Sequence, residues 1–203
     1  MDNNRPVLLE GMPLSFEEQA RIKKLKQEYE TPDDFWSVIR EEFRPDSDVA
    51  ASAGNAKCDR FLTEEDNALS NSRPWLIMHQ HKDVAWCNPP FRNMMPWVQK
   101  AYAEAQKVPN GCVLVLGPTS NAKWMRFCHE NASEIRLLCG TRIEFVLAPG
   151  LEITANKNMH DNVLVVFRKK LTKQPAHTFL WDWRAALAEL ASPEETKNNE
   201  GTE

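Results

Sequence analysis

The sequence predicts an α/β domain: a mostly parallel sheet with helices on both faces. Two observations point there. Short apolar runs that read as strands alternate along the chain with longer segments of helical apolar spacing. The clearest run, Cys112-Val113-Leu114-Val115-Leu116, is apolar at successive positions, as in a strand buried on both faces. A chain of 203 residues, 42% hydrophobic and 27% charged, can bury one real core. We divide it into an extension with a helix over 1–30, one domain over 31–190, and an acidic, polar tail over 191–203 expected to be disordered.

In the extension, Pro6, Gly11 and Pro13 among polar residues mark a loose end. Ser15 and Glu18 form a capping-box start for a helix to about Tyr29. Its basic cluster, Arg21, Lys23, Lys24 and Lys26, reads as a solvated face in preference to a phosphate contact. Thr31 is placed as the cap of a second helix, with Pro32 at its first position and Asp33 and Asp34 at its positive end. Phe35, Trp36, Ile39 and Phe43 give that helix an apolar stripe.

Asp48-Val49-Ala50-Ala51 closes a first strand, and residues 52–57 make only a short connection. Residues 58–62 form a short strand, followed by Thr63-Glu64-Glu65-Asp66. Ligands of open α/β sheets bind outside the carboxyl ends of strands, which makes Asp48 and Asp66 candidate ligand-binding residues. A turn acid competes for Asp48, and a helix cap or solvated loop for Asp66. His79 and His81 lack a third metal partner and read as loop.

Residues 84–87 form the next strand, and residues 95–107 a helix with Trp97, Val98, Ala101, Tyr102 and Ala105 on one face. After the central strand, Gly117-Pro118 breaks the chain, and Ser120 starts a helix that buries Trp124, Phe127 and Cys128. Strands are expected over 135–138, 142–147 and 163–167, with an Asn-rich polar loop over 149–161. Arg168, Lys169, Lys170 and Lys173 form the clearest basic run, suited equally to solubility and to phosphate contact. Residues 179–190, with Trp181 and Trp183, read as a closing helix.

The formal net charge is −4 and the sequence pI about 5.8, which argues against a broad polyanion-binding surface and leaves room for a local basic face. The five cysteines, Cys58, Cys87, Cys112, Cys128 and Cys139, form no Cys-x-x-Cys pair, which argues against zinc. Their odd number and the apolar settings of Cys87 and Cys112 suit buried thiols in a reducing cytosol. With no signal peptide at the start and no apolar run of membrane-spanning length, the expectation is a cytoplasmic protein without a membrane partner.

The stretch that organises these elements is Val84-Ala85-Trp86-Cys87-Asn88-Pro89-Pro90-Phe91. A buried strand stops at Asn88 and enters two prolines, each with a fixed φ and no N–H. The result is a stiff turn presenting one amide side chain, one carbonyl and one ring. That set suits methylation of an exocyclic amino group. Adenine N6 is a poor nucleophile because its lone pair is delocalised into the ring. Two acceptors must hold its hydrogens as it becomes tetrahedral. The Asn88 side-chain oxygen and the Pro89 carbonyl can be those acceptors, and Phe91 can stack on an extruded base. Fixed acceptors need no reorganisation during reaction.

Asn88-Pro89-Pro90-Phe91 resembles the catalytic motif of amino-group methyltransferases that use S-adenosylmethionine. The ordered set resembles the phage-type, Dam-like DNA adenine-N6 methyltransferases over about residues 31–168. It comprises the Thr-Pro motif at Thr31-Pro32, Asp46-Ser47-Asp48-Val49-Ala50-Ala51, Asn55–Cys58, Phe61-Leu62-Thr63 and Asp66–Leu69. Gly140–Phe145 and Val163–Phe167 look like the family's last two strands. The resemblance implies a Rossmann-like class I methyltransferase fold, S-adenosylmethionine as cofactor and double-stranded DNA as partner. It implies catalytic roles for Asn88, Pro89, Pro90 and Phe91, and cofactor binding by Thr31, Pro32, Asp48, Ala50, Asp66 and Asn88. No metal is implied, the setting is a bacterial or phage-infected cytosol, and the oligomeric state stays open. The chain departs from many methyltransferases in lacking a Gly-x-Gly turn after the first strand, where Gly54 stands alone. The phage-type family is known for a shortened version.

Three alternatives remain at this point. One is methylation of a protein glutamine or an RNA base, by families that carry a Gly-rich cofactor turn. Another is cytosine-N4 methylation, where Ser more often precedes the two prolines. The last is a catalytically silent nucleic-acid-binding module that keeps the fold.

Overall fold

The computed structural model describes residues 29–77, 83–147, 161–172 and 174–192. The expected 15–28 helix segment with its basic cluster, the His-x-His pair, residues 149–160 of the Asn-rich loop, Lys173 and the tail beyond 192 lie outside the described residues. In chain order the elements are β1 (Tyr29–Glu30), α1 (Asp33–Phe43), β2 (Ser47–Asp48), β3 (Arg60–Phe61) and β4 (Val84–Cys87). A 3-10 turn (Phe91–Asn93) then leads into α2 (Met94–Lys107), β5 (Cys112–Pro118), α3 (Lys123–Asn131) and β6 (Glu134–Leu138). β7 (Val146–Leu147), β8 (Asn162–Arg168), β9 (His177–Trp181) and α4 (Trp183–Ala191) complete the set.

Seven strands form one sheet in the order β3-β2-β4-β5-β8-β6-β9. The pairs β3/β2, β2/β4, β4/β5 and β6/β9 are parallel, whereas β8 runs against both β5 and β6, so the sheet is mixed. β1 and β7 pair in a separate antiparallel ribbon. Alternation along β4 divides the core. Ala85 and Cys87 face a cluster with Val98 and Ala101 of α2 and Trp124 and Cys128 of α3. Val84 and Trp86 face the other side, against Phe35, Trp36 and Ile39 of α1 and Trp183 of α4. Strands covered on both faces must be apolar at every position, and β4 is buried throughout.

Several expectations need correction. Thr31 does not cap α1: Pro32 occupies the cap position with no side-chain capping bond, and the Asp34 carboxylate accepts from the Phe35 N–H at 2.7 Å. Tyr29 belongs to a strand, not a helix end. Residues 142–147 supply only the two-residue β7, outside the main sheet. α3 begins at Lys123 instead of Ser120. The closing helix starts later than expected. Residues 177–181 are β-branched or aromatic enough to add a parallel edge strand to β6. Asp182 then caps α4, its Oδ1 accepting from the Arg184 and Ala185 N–H groups at 3.1 Å each. Among the described residues no helix is long and apolar enough to cross a membrane.

Candidate active site

A cavity of about 610 Å³ opens outside the carboxyl ends of the parallel strands β2, β3 and β4. Chain order reverses here, since β3 and β4 lie on opposite sides of β2. That is where open α/β sheets place ligands. Residues 49–53 line it after β2, residues 62–65 and 67–69 after β3, and Asn88 and Pro90 after β4. Trp97 of α2, expected only as a core residue, also forms part of the wall.

The turn after β4 is built as its sequence requires. Cys87 is fully buried, Asn88 half-buried, Pro89 buried, Pro90 exposed and Phe91 half-buried. The Asn88 Nδ2 donates to Thr31 Oγ1 at 3.2 Å, and Thr31 is itself buried. Thr31 therefore orients the catalytic candidate instead of capping a helix. With its NH₂ held there, the planar amide turns its oxygen away from Thr31. The Phe91 ring meets Phe145 edge-on, with centroids 5.8 Å apart at 78°.

Asp48 does not line the cavity; it shapes the loop that does. Its side chain is buried, Oδ1 accepts from the Ala50 N–H at 3.3 Å, and Oδ2 accepts from the Lys57 N–H at 3.1 Å. Burial pushes this carboxyl up to about 6 against those two hydrogen bonds. The Lys57 ammonium is engaged elsewhere, 3.1 Å from Glu30 Oε1 and 2.8 Å from Asp33 Oδ1.

Asp66 likewise stands outside the lining, while its neighbours Glu64, Glu65 and Asn67 belong to it. Asp66 Oδ2 accepts from the Thr63 N–H at 2.9 Å and from Thr63 Oγ1 at 3.0 Å, which closes the turn and holds its carboxyl below the usual range. Ala50 lines the cavity; Pro32 does not.

The wall over 62–69 is fastened from behind by groups the sequence reading missed. Trp75 is fully buried, and its indole N–H donates to the Ala68 carbonyl at 2.8 Å. Its backbone N–H donates to Glu104 Oε2 at 3.0 Å. Glu104, 1% exposed, also takes Lys100 Nζ at 2.9 Å and Lys107 Nζ at 2.7 Å, while Lys100 donates to the Ser70 carbonyl at 3.0 Å. Burial alone would raise this carboxyl, but the two ammoniums and the Trp75 N–H hold it below its ordinary value. The four-residue spacing of Lys100 and Glu104 signalled an ion pair, not its burial.

The basic run after β8 stands at the other end of the sheet. Arg168 pairs across from Cys112, and β5 continues from there to the level of the site. Arg168 bonds Glu134 at 2.8 Å, and Lys170 Nζ donates to the Ala132 and Gln174 carbonyls. These two side chains hold the fold and do not face the cavity.

The family model for DNA N-6-adenine-methyltransferase (Dam) matches residues 19–189. A DNA N-6-adenine-methyltransferase of Haemophilus phage HP1 is 30% identical over 125 residues, covering 62% of this chain and 68% of the relative. One from Escherichia phage T1 is 32% identical over 117 residues, covering 52% of this chain and 46% of that protein, so the match spans under half of the phage T1 relative. The chain belongs to the DNA N-6-adenine-methyltransferase (Dam) family.

Proposed function

We propose that the chain transfers a methyl group from S-adenosylmethionine to N6 of adenine in double-stranded DNA, in the cytosol of a bacterium or an infected host. Family membership supports the reaction, and the names of both phage relatives state it for those proteins. The observation that carries the site assignment is the Asn88 amide, held by Thr31 at a strand end and lining the cavity. We read the sheet as a Rossmann-like class I methyltransferase fold on its strand order and on the placement of the cavity at the reversal.

The cavity suits the cofactor. Its volume falls within the usual range of about 300–1,000 Å³ for small-molecule sites. Leu62, Ala68, Leu69 and Trp97 offer apolar surface for a purine, and Glu64 and Glu65 offer carboxylates for hydroxyl or cationic groups. When bound, S-adenosylmethionine supplies an electrophilic methyl group on sulfonium. In this assignment Thr31, Pro32, Asp48, Ala50, Asp66 and Asn88 hold the cofactor region. Thr31 and Asp48 act through the groups they orient, and Asp66 through the turn it closes.

Asn88 and the Pro89 carbonyl accept hydrogen bonds from the adenine amino group. They favour the tetrahedral nitrogen, which carries positive charge until its proton leaves. Pro90 fixes the turn, and Phe91 stacks on the extruded base. The test is incubation of purified protein with DNA and labelled S-adenosylmethionine, followed by nucleoside analysis. N6-methyladenine is expected. Label in N4-methylcytosine, in protein or nowhere would contradict the assignment.

A further inference from the structure

Five exposed cations among the described residues make no ion pair or side-chain hydrogen bond: Arg40, Arg44, Arg92, Lys123 and Lys169. Their positions differ. Arg40 and Arg44 lie where α1 runs down towards the amino end of β2. Lys169 follows the carboxyl end of the antiparallel β8, which is the same amino end of the parallel strands. Arg92 and Lys123 stand at the site end, after the carboxyl ends of the adjacent strands β4 and β5.

Core packing joins the elements that carry these two. A Cβ at Gly117 would lie 2.7 Å from Met94 Cε and 3.2 Å from the Trp124 ring. Met94 and Trp124 therefore converge over one glycine, which must lack a side chain for them to meet. Arg92 is two residues before Met94 and Lys123 one before Trp124. Each cation thus lies within two residues of a side chain in that contact, after the carboxyl end of its strand, and Arg92 directly follows Phe91 of the Asn88–Phe91 turn. The opposite rim, after β3, carries the exposed acids Glu64 and Glu65. Phosphates are attracted to the first side and repelled from the second.

We infer that Arg92 and Lys123 form a two-point phosphate clamp that seats the DNA backbone beside the target nucleotide, on the β4–β5 side of the cavity. The inference rests on the proposed DNA reaction. It also explains how a chain of net charge −4 engages a polyanion: the contact needs a local pair, not a basic surface.

The experiment measures binding of a labelled mixed-sequence duplex at several salt concentrations. Each phosphate contact adds about 0.9 to the slope of log affinity against log salt. Arg92→Gln and Lys123→Gln should each lower the slope by about that amount, and the double variant by about twice as much. Lys169→Gln should leave it unchanged. Both site-end variants should raise KM for DNA while kcat at saturating DNA is preserved, as when binding shared by ground and transition states is lost. An unchanged slope in the double variant of a wild-type protein that methylates adenine would overturn the clamp alone. A wild-type protein that neither binds nor methylates the duplex would overturn the clamp and the proposed function together.

Discussion

Two buried carboxylates in this molecule have opposite surroundings. Glu104, on α2 behind the cavity wall, takes two lysine ammoniums and a backbone N–H. Asp48, at the end of β2, is bonded only by backbone N–H groups, and the nearby Lys57 ammonium is committed to Glu30 and Asp33. The first is compensated and its pKa falls; the second is compensated only in part, by the two N–H groups and the more distant Lys57 charge, and burial pushes it to about 6. A charge kept under such conditions works against stability at neutral pH. Its position on the loop that lines the cavity supplies a reason to retain it. Glu104 fastens the wall, whereas Asp48 sets the loop at a cost to the fold.

The largest effect expected from this contrast is in Glu104→Ala. It strips Lys100, 7% exposed, of its carboxylate and leaves the Trp75 N–H without its acceptor. Removing one partner of a buried pair typically costs about 3–5 kcal/mol, which denaturant titration would register. A loss below about 1 kcal/mol would erase the distinction between the two acids.

Asp48→Asn should act in the other direction. The folded pKa is raised, so the stability that protonation contributes is fully present below the unfolded value near 3.8 and is lost as pH rises through about 6. The shift corresponds to roughly 3 kcal/mol across that window. Glu104 has the opposite sign: its contribution is present above its unfolded pKa and lost as pH falls through its depressed folded value. Replacing Asp48 by Asn should flatten the stability profile between pH 4 and 6 and weaken cofactor binding. An unchanged profile, or undiminished cofactor affinity measured by calorimetry, would remove Asp48 from this account.

The smallest effect is expected at Thr31→Val, which keeps the side-chain shape and deletes the acceptor for Asn88 Nδ2. One hydrogen bond is worth about 0.5–1.5 kcal/mol, so stability should fall by about that much, and turnover by roughly 2- to 12-fold where the same energy orients Asn88. Turnover equal to wild type would show that the Asn88 amide needs no orientation from Thr31.

The sequence made some of this arrangement legible and concealed the rest for identifiable reasons. The strand–Asn–Pro–Pro turn could be read directly because proline restricts the backbone locally. β5 and β8 could be read from continuous apolar runs. β9 was hidden because 177–181 and the following helix share one aromatic-rich stretch, and only Asp182 marks the junction. Asp48 and Asp66 were picked out by position after strands. What their oxygens accept depends on loop closure over 50–57 and 63–66, which periodicity does not encode. The basic run after β8 looked suited to phosphate, but antiparallel insertion of that strand carries it away from the site. Thr31 matched a helix cap by residue type, and its bond to Asn88, 57 positions away, is purely tertiary.

The central claim is that Asn88 contributes a preorganised acceptor to the chemical step. The direct measurement is single-turnover methyl transfer by Asn88→Ala, at saturating S-adenosylmethionine, on a paired duplex and on one with the target adenine unpaired. Losing one such hydrogen-bond partner typically costs about 2.7–4 kcal/mol, so the rate should fall roughly 100- to 1000-fold. The unpaired adenine should not restore it, because easier extrusion does not replace a missing acceptor. A rate near wild type on the paired duplex, or full rescue by the unpaired base, would contradict the account.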